Sequence, residues 1–450
     1  MKPLYLIIAV FAVLFTGCAS HVDRASNARS AYYTGDIVKA RSLIEEQISH
    51  SPKGETDVLL LDRAIVDLTT GNSQSAESTL REVRDHFDLF EQKTAAEGIK
   101  SMLTDDNAIS YAGDDYEKVL IRVFLALSNL MNDNTDAAAY ALQATMKQDE
   151  IVQNAAKIKT SKDDKDGVNP KLAYKRVPIG LYIHGLLREE TKLNYDDAKR
   201  DYRTVVEWFP EFEQGKADLK RAESGVHSQP GNGVVYVFGL VGRGPYKERT
   251  EAEVTEAALF VSSIILNAFT SRTVTPSIAP IFVPTAIQPR NNIDKLCVTV
   301  ANTNDVHFTE KITDIGKMAV EQNAANELQT IARAVARRAV KTGVIYGAKT
   351  VADANKYTSL AMDVVGIIWE SSEAPDTRCW SFLPESIQVA RIELPAGEHN
   401  VFLEPIDYHS NKMSSNPKAN SVNVRVEAGR NTYVIANFPT AKPLGIVTSK

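Results

Sequence analysis

Cysteine is scarce, with three residues in 450, at Cys18, Cys297 and Cys379. Neither Cys297 nor Cys379 has a cysteine or histidine partner at ligand spacing, and no two of the eight histidines share a zinc-ligand spacing, so no metal site is expected. The G-x-S-x-G elbow, the kinase signatures and H-E-x-x-H are all missing. A basic excess is missing too: 51 Lys and Arg stand against 57 Asp and Glu, for a net charge of −6. That balance excludes nucleic acid as a partner, because phosphates require a basic footprint. Beyond the N-terminus no apolar run approaches the roughly 20 residues of a membrane span. Leu259 to Phe269 comes nearest, and Ser262, Ser263 and Asn267 interrupt it, so it reads as a buried helix. Gly239 to Lys247 has three glycines and a lysine but lacks the Gly-Lys-Ser/Thr ending of a phosphate loop. Pro245 would also remove an N–H from any anion nest, so a bent strand or turn is expected there. No catalytic residue and no cofactor follow from these patterns.

The start of the chain is more specific. Lys2 is the only charge before an apolar run from Leu4 to Phe15, and Thr16-Gly17-Cys18 follows. A cationic start, a short hydrophobic segment and a small-residue cut site form an export signal. With a cysteine at the cut, the stretch resembles the lipobox of bacterial lipoproteins, although Phe15 stands where leucine is usual. The resemblance implies that residues 1–17 are a signal peptide and that Cys18 carries the lipid, with enough acyl chains for stable anchoring. Ala19 in place of an aspartate implies, by the same resemblance, the outer membrane, lipid-anchored and facing the periplasm. Residues 18–27 read as a tether.

Residues 28–222 read as helical and repetitive. Gly35-Asp36 precedes Ala40, Ile44 and Pro52, and Gly71-Asn72 precedes Ala76 and Leu80. Asn132-Asp133-Asn134 precedes Ala138 and Leu142, and Leu193-Asn194 precedes Ala198, Tyr202 and Pro210. Each unit is a helix, a turn at Gly or Asn, and a second helix whose small residue admits close approach and whose large residue fills the groove. The pattern resembles the tetratricopeptide repeat, without the aromatic expected early in the first helix. That resemblance implies a concave groove offered to a partner protein. Lys159 to Lys171 reads as an exposed charged loop.

Residues 223–233 (ESGVHSQPGNG) read as a linker, and 234–450 as an α+β domain with β-sandwich-like strands. Strands are expected at 234–240, 279–284, 294–301, 387–394, 399–404, 421–427 and 431–437. The last four are expected as two hairpins, turning at Pro395-Ala396-Gly397 and at Glu427-Ala428-Gly429-Arg430. Helices are expected from Glu251 to Phe269, from Asp314 to Ala348 with a core stripe of Leu328, Ile331, Val335 and Ala339, and from Tyr357 to Glu370. Cys297 and Cys379 are permitted a disulfide by an exported compartment, with two buried thiols as the equal alternative. Arg333, Arg337, Arg338 and Lys341 form a basic ridge that would suit an anionic partner or else a solvated helix face.

Asp115 to Leu120 (DYEKVL), Gly239 to Lys247, Ile331 to Lys341, Asp376 to Trp380 and Arg391 to His399 together resemble one group of bacterial envelope lipoproteins. That group combines tetratricopeptide-like helices with a C-terminal α+β domain, and the resemblance lends no catalytic residue. It supports fold and address alone; the functional expectation, a non-enzymatic scaffold or assembly factor, comes from the stacked helix pairs, which would contact envelope proteins, with the membrane met through the lipid and peptidoglycan or its synthesis machinery as a candidate contact of the second domain. A structural subunit of an envelope complex and a cell-wall-acting enzyme are the alternatives.

Overall fold

The computed structural model describes residues 21–51, 56–97, 111–157, 176–191, 194–269, 281–303, 305–351, 375–414 and 420–449. Cys18, the start of the tether, the charged loop at 159–171 and the helix expected at 357–370 lie outside the described residues, as does the side chain of Lys341.

Among the described residues nine helices precede the first strand. They are α1 (His21–Thr34), α2 (Ile37–His50), α3 (Thr56–Thr69), α4 (Ser73–Glu97), α5 (Asp115–Leu130), α6 (Ala137–Lys157), α7 (Ile179–Glu190), α8 (Tyr195–Trp208) and α9 (Glu213–Glu223). Each packs on its successor in the chain. The expected turns join α1 to α2, α3 to α4, α5 to α6 and α7 to α8. Gly35, Gly71 and Asn134 take left-handed backbone, with φ of 93°, 82° and 56°. Ala40 with Ile44, Ala76 with Leu80, and Ala198 with Tyr202 are buried as the pattern requires. At Gly185 a methyl group would stand 2.9 Å from the Tyr202 ring, so glycine sets how closely α7 and α8 approach.

The third pair departs from the pattern. Leu142 is exposed, and Ala137, Tyr140, Ala141 and Ala144 form the buried stripe instead. The turn there is built by a side chain: Asn129 donates to Asp133 (2.9 Å) and accepts the N–H of Asp136 (2.8 Å). This longer turn starts α6 so that its buried face begins one residue before the expected position.

The strands are β1 (Asn232–Val241), β2 (Tyr246–Ala252), β3 (Ile281–Ile287), β4 (Ile293–Val300), β5 (Val306–Phe308), β6 (Glu310–Asp314), β7 (Ser386–Pro395), β8 (Gly397–Asp407), β9 (Ser421–Val426), β10 (Asn431–Phe438) and β11 (Gly445–Thr448). Two helices lie among them, α10 (Glu256–Phe269) and α11 (Ile315–Val351). Three sheets result: five strands in the order β11-β10-β1-β7-β6, four in the order β5-β4-β8-β9, and the pair β2-β3. The stretch from Gly239 to Lys247 covers the end of β1, the turn at 242–245 and the start of β2, with Gly242 left-handed at φ 77°.

The five-stranded sheet is the middle layer. On β1, Val234, Tyr236, Phe238 and Leu240 pack with the helices. Val235, Val237 and Val241 pack with β4, β8 and β9 of the four-stranded sheet. An unbroken apolar run suits a strand covered on both faces. The expected hairpins are not hairpins. β7 and β8 belong to different sheets, as do β9 and β10. The chain crosses between layers at both turns, so Ile392 and Leu394 meet Val401 and Leu403 through the sandwich core rather than side by side. Alternation marks which face is buried and is silent on which strand is the neighbour.

Helix gives way to strand between Glu223 and Asn232, inside the expected linker, but the chain there is tied down. His227 bonds Asn431 (2.8 Å), the Gln229 N–H donates to Glu393 (2.7 Å), and Arg391 donates to the His227 carbonyl. One apolar core runs through helices and sheet. Tyr32 stacks on Phe382 with ring centres 4.2 Å apart, Phe124 meets Trp380 at 5.3 Å, and Tyr182 meets Tyr236 at 6.5 Å. In α11, Ile331, Val335 and Ala339 are buried against α10 and β3, whereas Leu328 is exposed.

The shared core predicts that residues 21–223 expressed alone bind a hydrophobic dye and melt without a cooperative transition, while the full chain melts these helices and the five-stranded sheet together. A fragment with a sharp, dye-free melt would contradict this.

Candidate functional site

The segment Pro375–Glu385 runs into the helical layer just before β7. Trp380, Phe382 and Leu383 are buried among the helices, and two carboxylates hold the backbone between them. Asp62, on α3, accepts the Phe382 N–H at 2.9 Å and the Ser381 hydroxyl at 2.8 Å. Glu117, on α5, accepts the Trp380 N–H at 2.8 Å. It also accepts the hydroxyls of Tyr111 (2.5 Å) and Tyr116 (3.2 Å) and the N–H of Asp114 (3.1 Å). From α1, Tyr33 donates to the Ser381 carbonyl at 2.9 Å. Further along the sheet, the Asn437 amide bridges Tyr32 (2.7 Å) and Thr69 (2.8 Å). A methyl group at Gly445 would land on the Thr69 carbonyl, so β11 lies directly against α3.

The local fold explains why these groups converge. Val58 to Leu68 (VLLLDRAIVDL) is buried almost all round, and Asp62 projects from its middle. Glu117 lies in the first turn of α5, where a carboxylate suits the helix dipole. Burial pushes the Asp62 carboxyl up to about 7 against the pull of Ser381 and Phe382. Burial and the nearby Asp114 push Glu117 up to about 7 against Lys247, Trp380 and Tyr111. Lys247 pairs with Asp114 at 2.7 Å. Its own burial opposes the charge, but Asp114 and Glu117 hold the ammonium above its ordinary value. Burial pushes the Cys379 thiol up to about 12, which leaves no thiolate for chemistry.

Two carboxyls near neutrality suit acid–base catalysis. Here the geometry assigns them otherwise. Asp62 is 1% exposed and Glu117 is fully enclosed, and every contact just described is to a donor of the chain itself. The arrangement grips a peptide segment, and that segment is the protein's own.

The first helix of each pair therefore faces the chain's own sheet or the 375–385 segment: Tyr32 from α1, Asp62 from α3, Phe124 from α5 and Tyr182 from α7. A groove left open along this face is not what the helices form.

The other residues singled out by sequence lie elsewhere. Cys297 and Cys379 are both free and buried, one on β4 opposite Phe308 and Glu404, the other in the gripped segment, so no disulfide joins them. Arg337 is 7% exposed, and Arg333 and Arg338 are half-buried. Ala332, Ala334 and Ala336 are buried beside the expected stripe, so residues 331–339 pack on more than one side and do not present an open basic face. Asp62 and Glu117 were missed. The available signal was an aspartate amid Leu61, Ala64 and Ile65, since a charge inside an apolar run requires partners. No protein-family model, curated protein or solved structure matches the chain.

Because both carboxyls sit above their ordinary values of about 4, the folded state binds more protons than the unfolded chain between about pH 4 and 7. Stability carried by these groups therefore falls as pH rises through that window and levels off above it. Asp62→Asn keeps an acceptor and should flatten part of this slope in urea midpoints measured from pH 4.5 to 8. Asp62→Ala orphans the Phe382 N–H and the Ser381 hydroxyl and should cost about 2–4 kcal/mol. An unchanged slope in Asp62→Asn would show that this carboxyl does not carry the effect.

Proposed function

We propose that this chain is a lipid-anchored, non-enzymatic scaffold or assembly factor of the cell envelope, facing the periplasm. Its contacts with envelope proteins run through the outer helices of tetratricopeptide-like pairs. The anchor rests on the stretch ending at Cys18. Among the described residues no helix is long and apolar enough to cross a membrane, which is consistent with attachment through the lipid.

One observation carries the choice of surface. The first helices are consumed by the internal sheet, while the second helices expose large apolar side chains: Val38 on α2, Leu89 on α4, and Leu142 and Met146 one turn apart on α6. Met146 is 68% exposed, and Leu142 stands exposed beside it on the same helix face. Exposed apolar residues at helical spacing suit a partner surface.

Two measurements check this reading. Intact mass of the membrane-extracted protein should show a chain beginning at a lipidated Cys18; an unmodified cysteine or another start would remove the anchor. A photo-crosslinking residue at position 146 in cells should form an adduct with one envelope protein, and the same residue at the exposed Lys216 should not. Identical products from both sites would contradict an interface on α6.

A further inference from the structure

Helix α10 buries its small side chains and exposes its large ones. Ala258, Ser262 and Leu266, on one face at successive turns, are buried where the helix meets Ile331, Val335, Ala336 and Ala339 of α11. Phe260 is 61% exposed and Ile264, one turn on, is 51% exposed, with Val261 half-buried beside them. An ordinary amphipathic helix turns its charged face outward. Here Glu256 is the single charge in fourteen residues. Both hydroxyls fold back on the helix, Ser262 donating to the Leu259 carbonyl at 2.8 Å and Ser263 to the Phe260 carbonyl at 2.7 Å. Neither hydroxyl therefore requires water as an acceptor, which suits an apolar surrounding.

The position of α10 relative to the start of the chain says what covers this face. α11 begins at the Val241 end of the five-stranded sheet, where the Ile315 N–H donates to the Glu385 carbonyl at 2.7 Å. β3 runs back along α11: Asn323 accepts the Ala286 N–H at 3.1 Å and donates to the Pro284 carbonyl at 3.0 Å, and Ile281 and Val283 pack with Ile331 and Val335. β2 is antiparallel to β3 and so runs outward with α11, towards α10. The N-terminus of α1 points the same way. Arg243 lies 5.3 Å over the Tyr33 ring, and Arg29, one turn nearer the N-terminus, lies 4.1 Å over the Tyr246 ring, so α1 is antiparallel to β2. From Arg29 to His21 is about 12 Å of helix, and residues 18–20 add at most about 10 Å. From Tyr246 to Ala252 is about 20 Å of strand, and α10 begins four residues later. Cys18 and the outer face of α10 thus reach outward to the same level.

We propose that α10 seats Phe260 and Ile264 in the headgroup–acyl boundary of the membrane that holds Cys18, a second contact that rests on the lipid being at that cysteine. Two exposed side chains hold a membrane weakly by themselves. In a chain already tethered at Cys18 the contact becomes intramolecular, so a weak seat suffices to fix which way the body faces. Fourteen residues are too few to cross the hydrocarbon core, so the helix lies along the surface. Glu251, Glu253 and Glu256, exposed around the start of the helix, favour headgroups that carry an ammonium over a purely anionic surface.

The test uses the full mature chain, coupled through the Cys18 thiol to a maleimide lipid in vesicles of phosphatidylethanolamine with a minority of phosphatidylglycerol. Cys297 and Cys379 are buried, which directs the coupling to Cys18. One variant carries Phe260→p-benzoylphenylalanine, an aromatic exchange at an exposed site. The control carries Ala396→p-benzoylphenylalanine, exposed at the opposite end of the sheet. Illumination should add the mass of a phospholipid at position 260 with a yield at least about tenfold above position 396, and high salt should leave that yield unchanged, because the contact is apolar. An adduct within the chain or between two copies would show that protein covers this face and would overturn the proposal. So would equal yields at the two positions, no adduct at 260, or loss of the adduct in salt. Coupling at Cys18 in vitro keeps this result separate from acylation in cells, which the intact mass of the extracted protein decides.

Discussion

Two desolvated carboxylates, Asp62 and Glu117, accept backbone N–H groups from residues 380 and 382, and the rest of the molecule is arranged around that grip. A buried carboxyl is tolerable only when its lone pairs are filled, and these are filled by the Trp380 and Phe382 N–H groups and the Ser381 hydroxyl together with Tyr111, Tyr116 and the Asp114 N–H. The apolar side chains and the polar backbone are thus satisfied by one docking event. That event brings β7, and with it β1 and β10, against the inner faces of the helices.

This constraint separates surfaces that a simple repeat array would leave equivalent. In a free-standing array, the inner face is the surface available to partners. Here it is core, and the three-layer stack of helices, five-stranded sheet and four-stranded sheet leaves the outer helices and the lobe beyond the Val241 end of the sheet as accessible ground. The α6 pair of Leu142 and Met146 lies on the first, and the α10 pair of Phe260 and Ile264 lies on the second. Neither depends on a reactive group. The most perturbed carboxyls of the site are enclosed, and the Cys379 thiol is held protonated.

Much of the fold was legible from local chemistry. Gly35 and Gly71 announce their turns because few other residues accept that backbone, and Ala198 with Tyr202 announces a tight pair. The run from Val234 to Phe238 announces a strand covered on both sides. What was not legible depends on long-range pairing. Nothing in Arg391 to Leu403 distinguishes a hairpin from a crossing between sheets, because both bury the same alternate residues. β2 escaped notice because Lys247, Glu248, Arg249 and Glu251 give it no apolar alternation, and of its residues only Lys247 is buried. The grip itself is the hardest case: an aspartate inside an apolar run signals a buried partner, but nothing local says that residue 62 meets residue 382 across most of the chain.

The helical face is closed by the protein's own backbone. Hydrogen–deuterium exchange of the full chain, resolved to the amides of Trp380 and Phe382, tests it most directly. Protection matching that of Tyr236 and Phe238 in β1 is the result this structure requires. Exchange of those two amides within seconds, with β1 still protected, would mean that the segment is not held and that the groove is open.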